Sequence, residues 1–184
     1  MFRILSALFA GVVGAFILHL VIILSLPHFT ESDAWTKVSR EGEAARFHLL
    51  SEKIDSAGLS VSDPFVRTAV CSFDVEDAPI RFTAKGGVPF WSIAIFDRAS
   101  NEVFSMNDRT AVNGALDVVA GTPIELTALR KSLPAAIEQS VLVELTRNQG
   151  YAVVRTLVPQ ASFDDAADRF LRGAGCQPFE TGAD

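Results

Sequence analysis

Histidine and cysteine, the side chains that most often bind transition metals, are scarce in this 184-residue sequence. It contains three histidines and two cysteines. His48 is the only histidine clearly outside the hydrophobic N-terminal segment and its border, and Cys71 and Cys176 do not form a C-x-x-C pair. Since a structural zinc ion needs about four such ligands, the sequence predicts no metal site.

Catalytic signatures are lacking as well. A nucleophilic serine on a strand-to-helix elbow needs flanking glycines, and no serine in this chain has them. His48 would have to act as the base for a strand serine without that support. We therefore predict no catalytic residue, no cofactor-binding residue and no cofactor, and the sequence favours a protein that is not an enzyme.

Positive charge is in short supply. The chain has 16 lysine and arginine residues against 22 aspartate and glutamate residues, which gives a formal net charge of −6. Binding to DNA or RNA depends mainly on basic side chains that neutralise phosphates, and the sequence has no basic stripe with interleaved aromatic residues. A nucleic-acid partner is therefore not expected.

One long hydrophobic run occurs, and it lies at the N-terminus. Residues 4–26 carry no charge, and as a helix they would span about 35 Å, enough to cross a hydrocarbon core of about 30 Å. A cleaved signal peptide has an apolar region of about 7 to 15 residues and a small-x-small cleavage site, which residues 26–29 do not offer. We predict an uncleaved signal anchor that contacts the lipid bilayer through residues 4–26.

The N-terminal tail sets the expected orientation of this anchor. Arg3 lies in a three-residue tail, which favours a cytoplasmic N-terminus and an exported remainder. Ala7, Gly11 and Ala15 recur every four residues; they are either a contact for a homodimer or the small residues that membrane helices ordinarily contain. His19, the ionisable side chain within the segment, is either functional or a neutral imidazole that faces a partner helix.

The remainder of the chain carries repeated strand signals. Residues 66–108 are predicted to form four consecutive strands with tight turns, in which Gly86 and Gly87 make a hairpin, and a second hairpin is predicted at residues 148–150. The predicted strands are residues 66–75, 80–84, 88–96, 103–106, 115–119, 124–129, 141–146 and 151–158. About eight short strands without alternating helices predict a mainly β protein, an antiparallel β-sandwich or jelly roll.

Helix signals flank these strands. Polar residues 30–33 can cap a short juxtamembrane helix at residues 34–38, and Ser162 begins a capping motif for a C-terminal helix at residues 162–171. The chain is therefore divided into a tail and signal anchor (1–29), a juxtamembrane helix and linker (30–62), and a β-sandwich domain (63–184), with an alternative domain start at residue 45.

Several short motifs in the predicted strands resemble a known family. They are Asp63-Pro64-Phe65, Ala69-Val70-Cys71, Val88-Pro89-Phe90-Trp91-Ser92, Asp97, and Phe104-Ser105-Met106-Asn107-Asp108-Arg109. The combination is similar to the bacterial domain-of-unknown-function 1254 family, in particular to its short members with one N-terminal membrane helix. The resemblance covers residues 30–177. The resemblance implies the fold and the membrane anchor, and together with the orientation expected from the N-terminal tail it predicts a single-pass protein of the bacterial inner membrane with its C-terminal domain in the periplasm.

The same resemblance limits what can be transferred to this chain. Larger relatives have two β-sandwich domains, and a ligand site built between two such domains cannot be assembled from one chain of this length. The family has no agreed activity, so the resemblance implies a fold and a membrane anchor but no catalytic residue.

Charged residues at the predicted strand ends are the candidates for ligand contacts. Asp97, Asp108 and Arg109 are expected to lie close together in the meander, where they either contact a polar ligand or form ion pairs that fix the turns. The acidic turn at residues 74–77 either binds calcium or faces water, and it lacks the spacing of an EF-hand loop.

The two cysteines form the most specific predicted pair. Cys71 is expected to face the core from a strand, and Cys176 directly follows the last predicted helix. In an oxidising compartment a disulfide between them would close a loop of about 105 residues, worth on the order of 4 to 5 kcal/mol in the chain-entropy model. The alternative is two separate thiols, with Cys71 buried as a small hydrophobic residue.

Two functional hypotheses follow from these observations. The first is a membrane-anchored, periplasm-facing β-sandwich module that binds another envelope protein or supports envelope structure. The second is a small-ligand-binding protein or enzyme that uses the sandwich interior or the loop rim, with Asp97, Asp108 and Arg109 as polar contacts.

Overall fold

The computed structural model describes residues 2–54, 57–61 and 63–180, with the side chains of residues 27–33 outside that description. Residue 62, the predicted end of the linker, and residues 181–184, the end of the predicted domain, therefore lie outside the described residues.

Three α-helices, nine β-strands and three 3-10 turns make up the described part of the chain. The helices are α1 (Phe2–Glu41), α2 (Pro123–Lys131) and α3 (Asp164–Arg172). The strands are β1 (His48–Leu49), β2 (Val66–Asp74), β3 (Ile80–Ala84), β4 (Trp91–Asp97), β5 (Glu102–Asn107), β6 (Leu116–Gly121), β7 (Val141–Glu144), β8 (Gln149–Leu157) and β9 (Gly175–Pro178). The 3-10 turns are Val112–Gly114, Ala135–Ile137 and Ala161–Phe163.

The strands form two sheets instead of the predicted meander. Sheet A has the order β1-β2-β8-β4-β5, and sheet B has the order β7-β6-β3-β9. The prediction of a hairpin at Gly86 and Gly87 is wrong, because β3 and β4 lie in different sheets. Residues 85–90 separate these strands, which is more than the two residues of a primed turn, and they carry the chain from sheet B to sheet A. The predicted hairpin at residues 148–150 is wrong for the same reason, since β7 and β8 also lie in different sheets.

Among the strands that the structure describes, β6 and β7 form a parallel pair. β6 and β7 run in the same direction with Val118 opposite Val141, and α2 lies between them in the chain. The prediction of a strand at residues 124–129 is therefore wrong, and so is the expectation that no helix alternates with strands. Thr122 and Glu125 form a capping box at the start of α2, with Pro123 in the first turn, and these signals outweigh the apolar alternation.

The two sheets share one hydrophobic core. Phe73 in sheet A packs edge-on against Phe82 in sheet B, with ring centroids 5.6 Å apart. Trp91, Ile93 and Ile95 are each at most 2% exposed on the inward face of β4, as predicted. The side chains between the sheets are thus closely packed from both sides.

The final turns of α1 cover the outer face of sheet A. Val38 is buried at 4% exposure in a cluster with Val70, Tyr151 and Val153. β2 was expected to bury one face, but Val70 on its other face is also buried because α1 packs there. The juxtamembrane helix predicted after residue 33 is the C-terminal part of α1.

The N-terminal part of α1 is apolar and exposed. Phe2–Leu26 is long and apolar enough to cross a membrane by length and composition, and its most hydrophobic stretch is unburied. The same helix therefore joins an exposed apolar segment to a segment that is part of the folded domain.

Candidate functional site

Cys71 and Cys176 form a disulfide between the two sheets. Cys71 lies in β2 of sheet A and Cys176 in β9 of sheet B, with their Cα atoms 6.7 Å apart. Both residues are buried, at 0% and 4% exposure. The bond holds the short C-terminal strand β9 against sheet A, and β9 itself was not predicted from the sequence.

Asp97 organises the tight turn between β4 and β5. It is 7% exposed, and its carboxylate accepts hydrogen bonds from the backbone N–H of Asn101 at 2.9 Å and from the Asn101 side chain at 2.9 and 3.2 Å. Arg147 approaches the same carboxylate at 3.7 Å. These contacts fix the conformation of the turn.

Asp108 and Arg109 lie at the other end of the same pair of strands. Asp108 directly follows β5, and its backbone N–H donates to the carbonyl oxygen of Trp91 at 3.1 Å, at the start of β4. β4 has seven residues, so about 20 Å of strand separates this end from Asp97. The expectation that Asp97, Asp108 and Arg109 lie close together is therefore wrong.

A groove at one end of sheet B brings polar side chains together that the sequence pattern did not single out. It has a volume of about 790 Å³ and includes residues from each of the four strands of the sheet. We call it the sheet B groove, and the lining residues used below are Arg81, Lys85, Asn113, Asp117, Gln139 and Gln177.

The groove lies beside the first residues of β6, which extend beyond the shorter strand β7. The pairing of β6 with β7 begins at Val118 and Val141, and no residue of β7 pairs with Leu116 or Asp117. Before the pairing begins, the chain leading to β6 and the chain leading to β7 each form a 3-10 turn. Residues from both of these segments line the groove.

An ion pair occupies the floor of the groove. Arg81 on β3 donates from Nε to one carboxylate oxygen of Asp117 at 2.9 Å and from Nη2 to the other at 2.8 Å. The same Nη2 donates to the carbonyl oxygen of Ala136 at 2.7 Å, which ties a 3-10 turn to the sheet. Arg81 and Asp117 are diagonal neighbours on adjacent strands, since Arg81 pairs with Val119 and Asp117 with Thr83, and opposite charges in such positions stabilise a sheet.

This ion pair changes the titration of Arg81. The hydrogen bond to Asp117 raises the pKa of the Arg81 guanidinium above its ordinary value, partial burial acts in the opposite direction, and the Asp117 charge raises it further. A folded-state pKa above the unfolded value gives a stabilising contribution that is complete below the unfolded pKa and is lost as the pH rises through the folded pKa. The Arg81 guanidinium therefore keeps its charge across the physiological pH range.

Carboxamides lie at the mouth of the groove. The Asn113 side chain donates to Oε1 of Gln139 at 3.5 Å and so joins the segment before β6 to the segment before β7. Asn113 has a left-handed backbone conformation with φ of 55° and is followed by Gly114 with φ of 66°. The carbonyl oxygen of Gly114 accepts a hydrogen bond from the Trp91 indole at 3.1 Å, which fixes this loop to the core.

Ala7, Gly11 and Ala15 lie together on exposed α1, where they line a shallow apolar depression. No atom lies within 4 Å of the position that a Cβ would take at Gly11.

Among the described residues, no group of three or more His, Cys, Asp or Glu side chains is arranged to hold a metal ion.

Comparison with known proteins adds a fold relationship. No family model and no curated protein matches this chain, so the family membership expected from the sequence stays a prediction. The crystal structure of the VPA0106 protein from Vibrio parahaemolyticus is similar, with a TM-score of 0.60 and 9% identity over 86% of this chain and 38% of that one. An uncharacterized protein from Burkholderia cenocepacia has a TM-score of 0.50 and 12% identity over 85% of this chain and 42% of that one.

These similarities concern the fold alone, since both identities are very low. This chain spans about two fifths of the length of each of the two solved structures. The class that the structure defines is thus a mainly β domain of two sheets, preceded by an apolar helix.

Proposed function

We propose that the protein is a membrane-anchored β-sandwich module that faces the periplasm and binds another envelope protein. The observation that carries this proposal is the continuity of α1. Its apolar part, Phe2–Leu26, is unburied, whereas Val38 further along the helix is buried against sheet A. A domain attached in this way is held beside the bilayer, where its exposed surfaces meet other envelope components.

The buried disulfide supports a location outside the cytoplasm. Disulfides persist in oxidising compartments such as the periplasm, and they are rare where thiol reductants dominate. Cys71 and Cys176 are both buried and joined to each other. This agrees with a single-pass protein of the inner membrane whose C-terminal domain is exported.

The packed interior favours the interaction module over the alternative of a small-ligand site inside the sandwich. Large side chains such as Phe82, Trp91 and Phe170 fill the space between the sheets at 2% exposure or less. The groove on the surface of sheet B is open to solvent and suits a partner that approaches from outside. Contacts of a second α1 with Ala7, Gly11 and Ala15 remain a further proposal for self-association.

Affinity purification from membranes tests the proposed function. The tagged full chain would be purified from detergent-solubilised bacterial membranes, and a tagged chain of residues 1–41 alone would serve as the matched control for contacts within the bilayer. We expect at least one envelope protein to be recovered in constant proportion with the full chain and not with the control. If both baits recover the same proteins, or the full chain recovers none, the proposed interaction is wrong.

A further inference from the structure

The sheet B groove has the dimensions of a site for an extended chain. It crosses the end of all four strands of the sheet, from Val141 on β7 to Gln177 on β9. Three spacings between neighbouring strands cover about 14 Å, which is the length of about four residues of extended polypeptide. The volume of about 790 Å³ is open on one side, so a segment of a larger molecule can enter it.

The lining of the groove matches the chemistry of a peptide backbone. Asn113, Gln139 and Gln177 are exposed carboxamides, and each offers both a hydrogen-bond donor and an acceptor, as a peptide group does. At Leu116 and Asp117 the edge of β6 has no β7 residue beside it. None of the described residues that line the groove is aromatic, so the groove has no ring on which a base or a sugar can stack.

Charge further defines the segment that fits. Arg81 and Asp117 neutralise each other on the floor. Lys85 is exposed on the rim, and it makes no ion pair within the part of the chain that the structure describes. An acidic side chain or a C-terminal carboxylate placed beside Lys85 would complete the charge balance of the groove.

The groove lies away from the point where α1 reaches the domain. Arg98, directly after β4, stacks on Trp35 of α1 at 4.6 Å from the ring centroid. The groove loop is fixed to Trp91 at the opposite end of β4, through the hydrogen bond to Gly114. A partner in the groove would thus be separated from this contact with α1 by about the 20 Å length of β4.

We propose that the sheet B groove binds an extended, acidic segment of another envelope protein, held by Asn113, Gln139 and Gln177 and by Lys85. The inference rests on the proposed function and specifies the surface that performs it.

A peptide-display experiment tests this inference on the full chain. The probe is a phage library of random seven-residue peptides, selected on full-length protein in lipid nanodiscs after subtraction on empty nanodiscs. Selected peptides would then be synthesised and titrated against the wild type and against Gln139→Trp, which places a ring at the mouth of the groove. Gln160→Trp is the matched control, because Gln160 is also an exposed glutamine but lies in the turn before α3.

We expect acidic peptides that bind the wild type and the Gln160→Trp protein equally, and that bind Gln139→Trp at least tenfold more weakly. Lys85→Glu should weaken the same peptides by a similar factor. Thermal unfolding of each variant checks that the domain is folded, and Gln177→Trp replaces Gln139→Trp if the latter unfolds.

Three outcomes would overturn the inference. These are the recovery of no specific peptide, binding that is unaffected by either groove substitution, and groove-dependent binding of the neutral sugar chitohexaose in place of peptides. If the full chain still recovers an envelope protein that Gln139→Trp also recovers, the proposed function stands and only the groove assignment fails.

Discussion

At the scale of single residues, the disulfide between Cys71 and Cys176 is the strongest covalent constraint on the domain. It closes a loop of 105 residues and joins the two sheets. We expect the Cys71→Ala, Cys176→Ala double variant to lose about 2 to 5 kcal/mol of unfolding free energy, because its unfolded chain is no longer restricted. Urea unfolding of the full chain in mild detergent, followed by tryptophan fluorescence, measures this loss.

Reductant provides the control for that experiment. It should destabilise the wild type and leave the double variant unchanged. Equal stability of the wild type and the double variant without reductant would show that the two sheets do not depend on this bond.

Gly150 occupies a place where no larger residue fits. It pairs with Phe73 on one side and with Asp97 on the other, and a Cβ there would lie 2.8 Å from Cζ of Phe73 and closer still to the carbonyl oxygen of Phe96. We expect Gly150→Ala to destabilise the domain by about 2 to 3 kcal/mol through overpacking. Gly87→Ala, where no atom lies within 4 Å, should change the unfolding midpoint little. Equal midpoints for the two variants would contradict the packing around Gly150.

Residue alternation predicted the inward face of the sheets better than it predicted the candidate site. The burial of Trp91 and the inward position of Cys71 follow from period-two alternation alone. The meeting of Arg81 with Asp117 depends on the pairing of β3 with β6, which are separated by two other strands in the chain. Alternation gives the face of a strand and carries no information about its neighbour.

At the scale of secondary-structure elements, the start of α2 depends on its capping box. The backbone N–H of Thr122 donates to Oε2 of Glu125 at 2.8 Å, and the Thr122 hydroxyl accepts from the Glu125 backbone N–H at 3.4 Å. We expect Thr122→Ala to cost about 1 kcal/mol of stability, since it removes this cap. The control is Thr127→Ala, an exposed position within the same helix whose hydroxyl bonds to the Pro123 carbonyl. Thermal unfolding compares them, and a larger loss for Thr127→Ala would contradict the role of the cap.

The errors in the predicted elements have a common physical cause. Residues 124–129 contain alternating apolar side chains and were predicted as a strand, yet Leu126 and Leu129 are buried on one face of α2. A short apolar run does not distinguish a strand from a helix. The capping signal at Thr122 was the evidence in the sequence that favoured a helix. The Gly86-Gly87 pair likewise permits a hairpin but does not decide which strands pair.

The contact of α1 with sheet A is the element-level link between the apolar segment and the domain. Val38 is buried at this contact, so Val38→Ala should destabilise the domain by about 1 to 2 kcal/mol. Val12→Ala, in the exposed apolar part of the same helix, should leave domain unfolding unchanged. Urea unfolding in detergent compares the two, and equal effects would show that α1 does not pack on the sheet as described.

At the scale of the whole molecule, the apolar helix and the sheet B groove lie at opposite ends of β4. The apolar part of α1 lies at one end of the chain, the helix reaches the domain beside Arg98, and the sheet B groove lies at the other end of β4. Composition and hydrophobicity predicted the apolar segment, and strand patterning predicted a mainly β domain. The two-sheet order and the groove arise from pairings between strands that are distant in sequence. Neither composition nor strand patterning contains information about such pairings.

Protease accessibility tests the proposed membrane topology. Spheroplasts producing the full chain with a C-terminal epitope would be treated with proteinase K, with a cytoplasmic protein as the control for lysis, and the membranes would then be extracted with carbonate. We expect the epitope to be degraded in intact spheroplasts, and undigested protein to remain in the carbonate-washed membranes. An epitope that is protected until the cells are lysed, or a protein that carbonate releases, would contradict a membrane-anchored domain facing the periplasm.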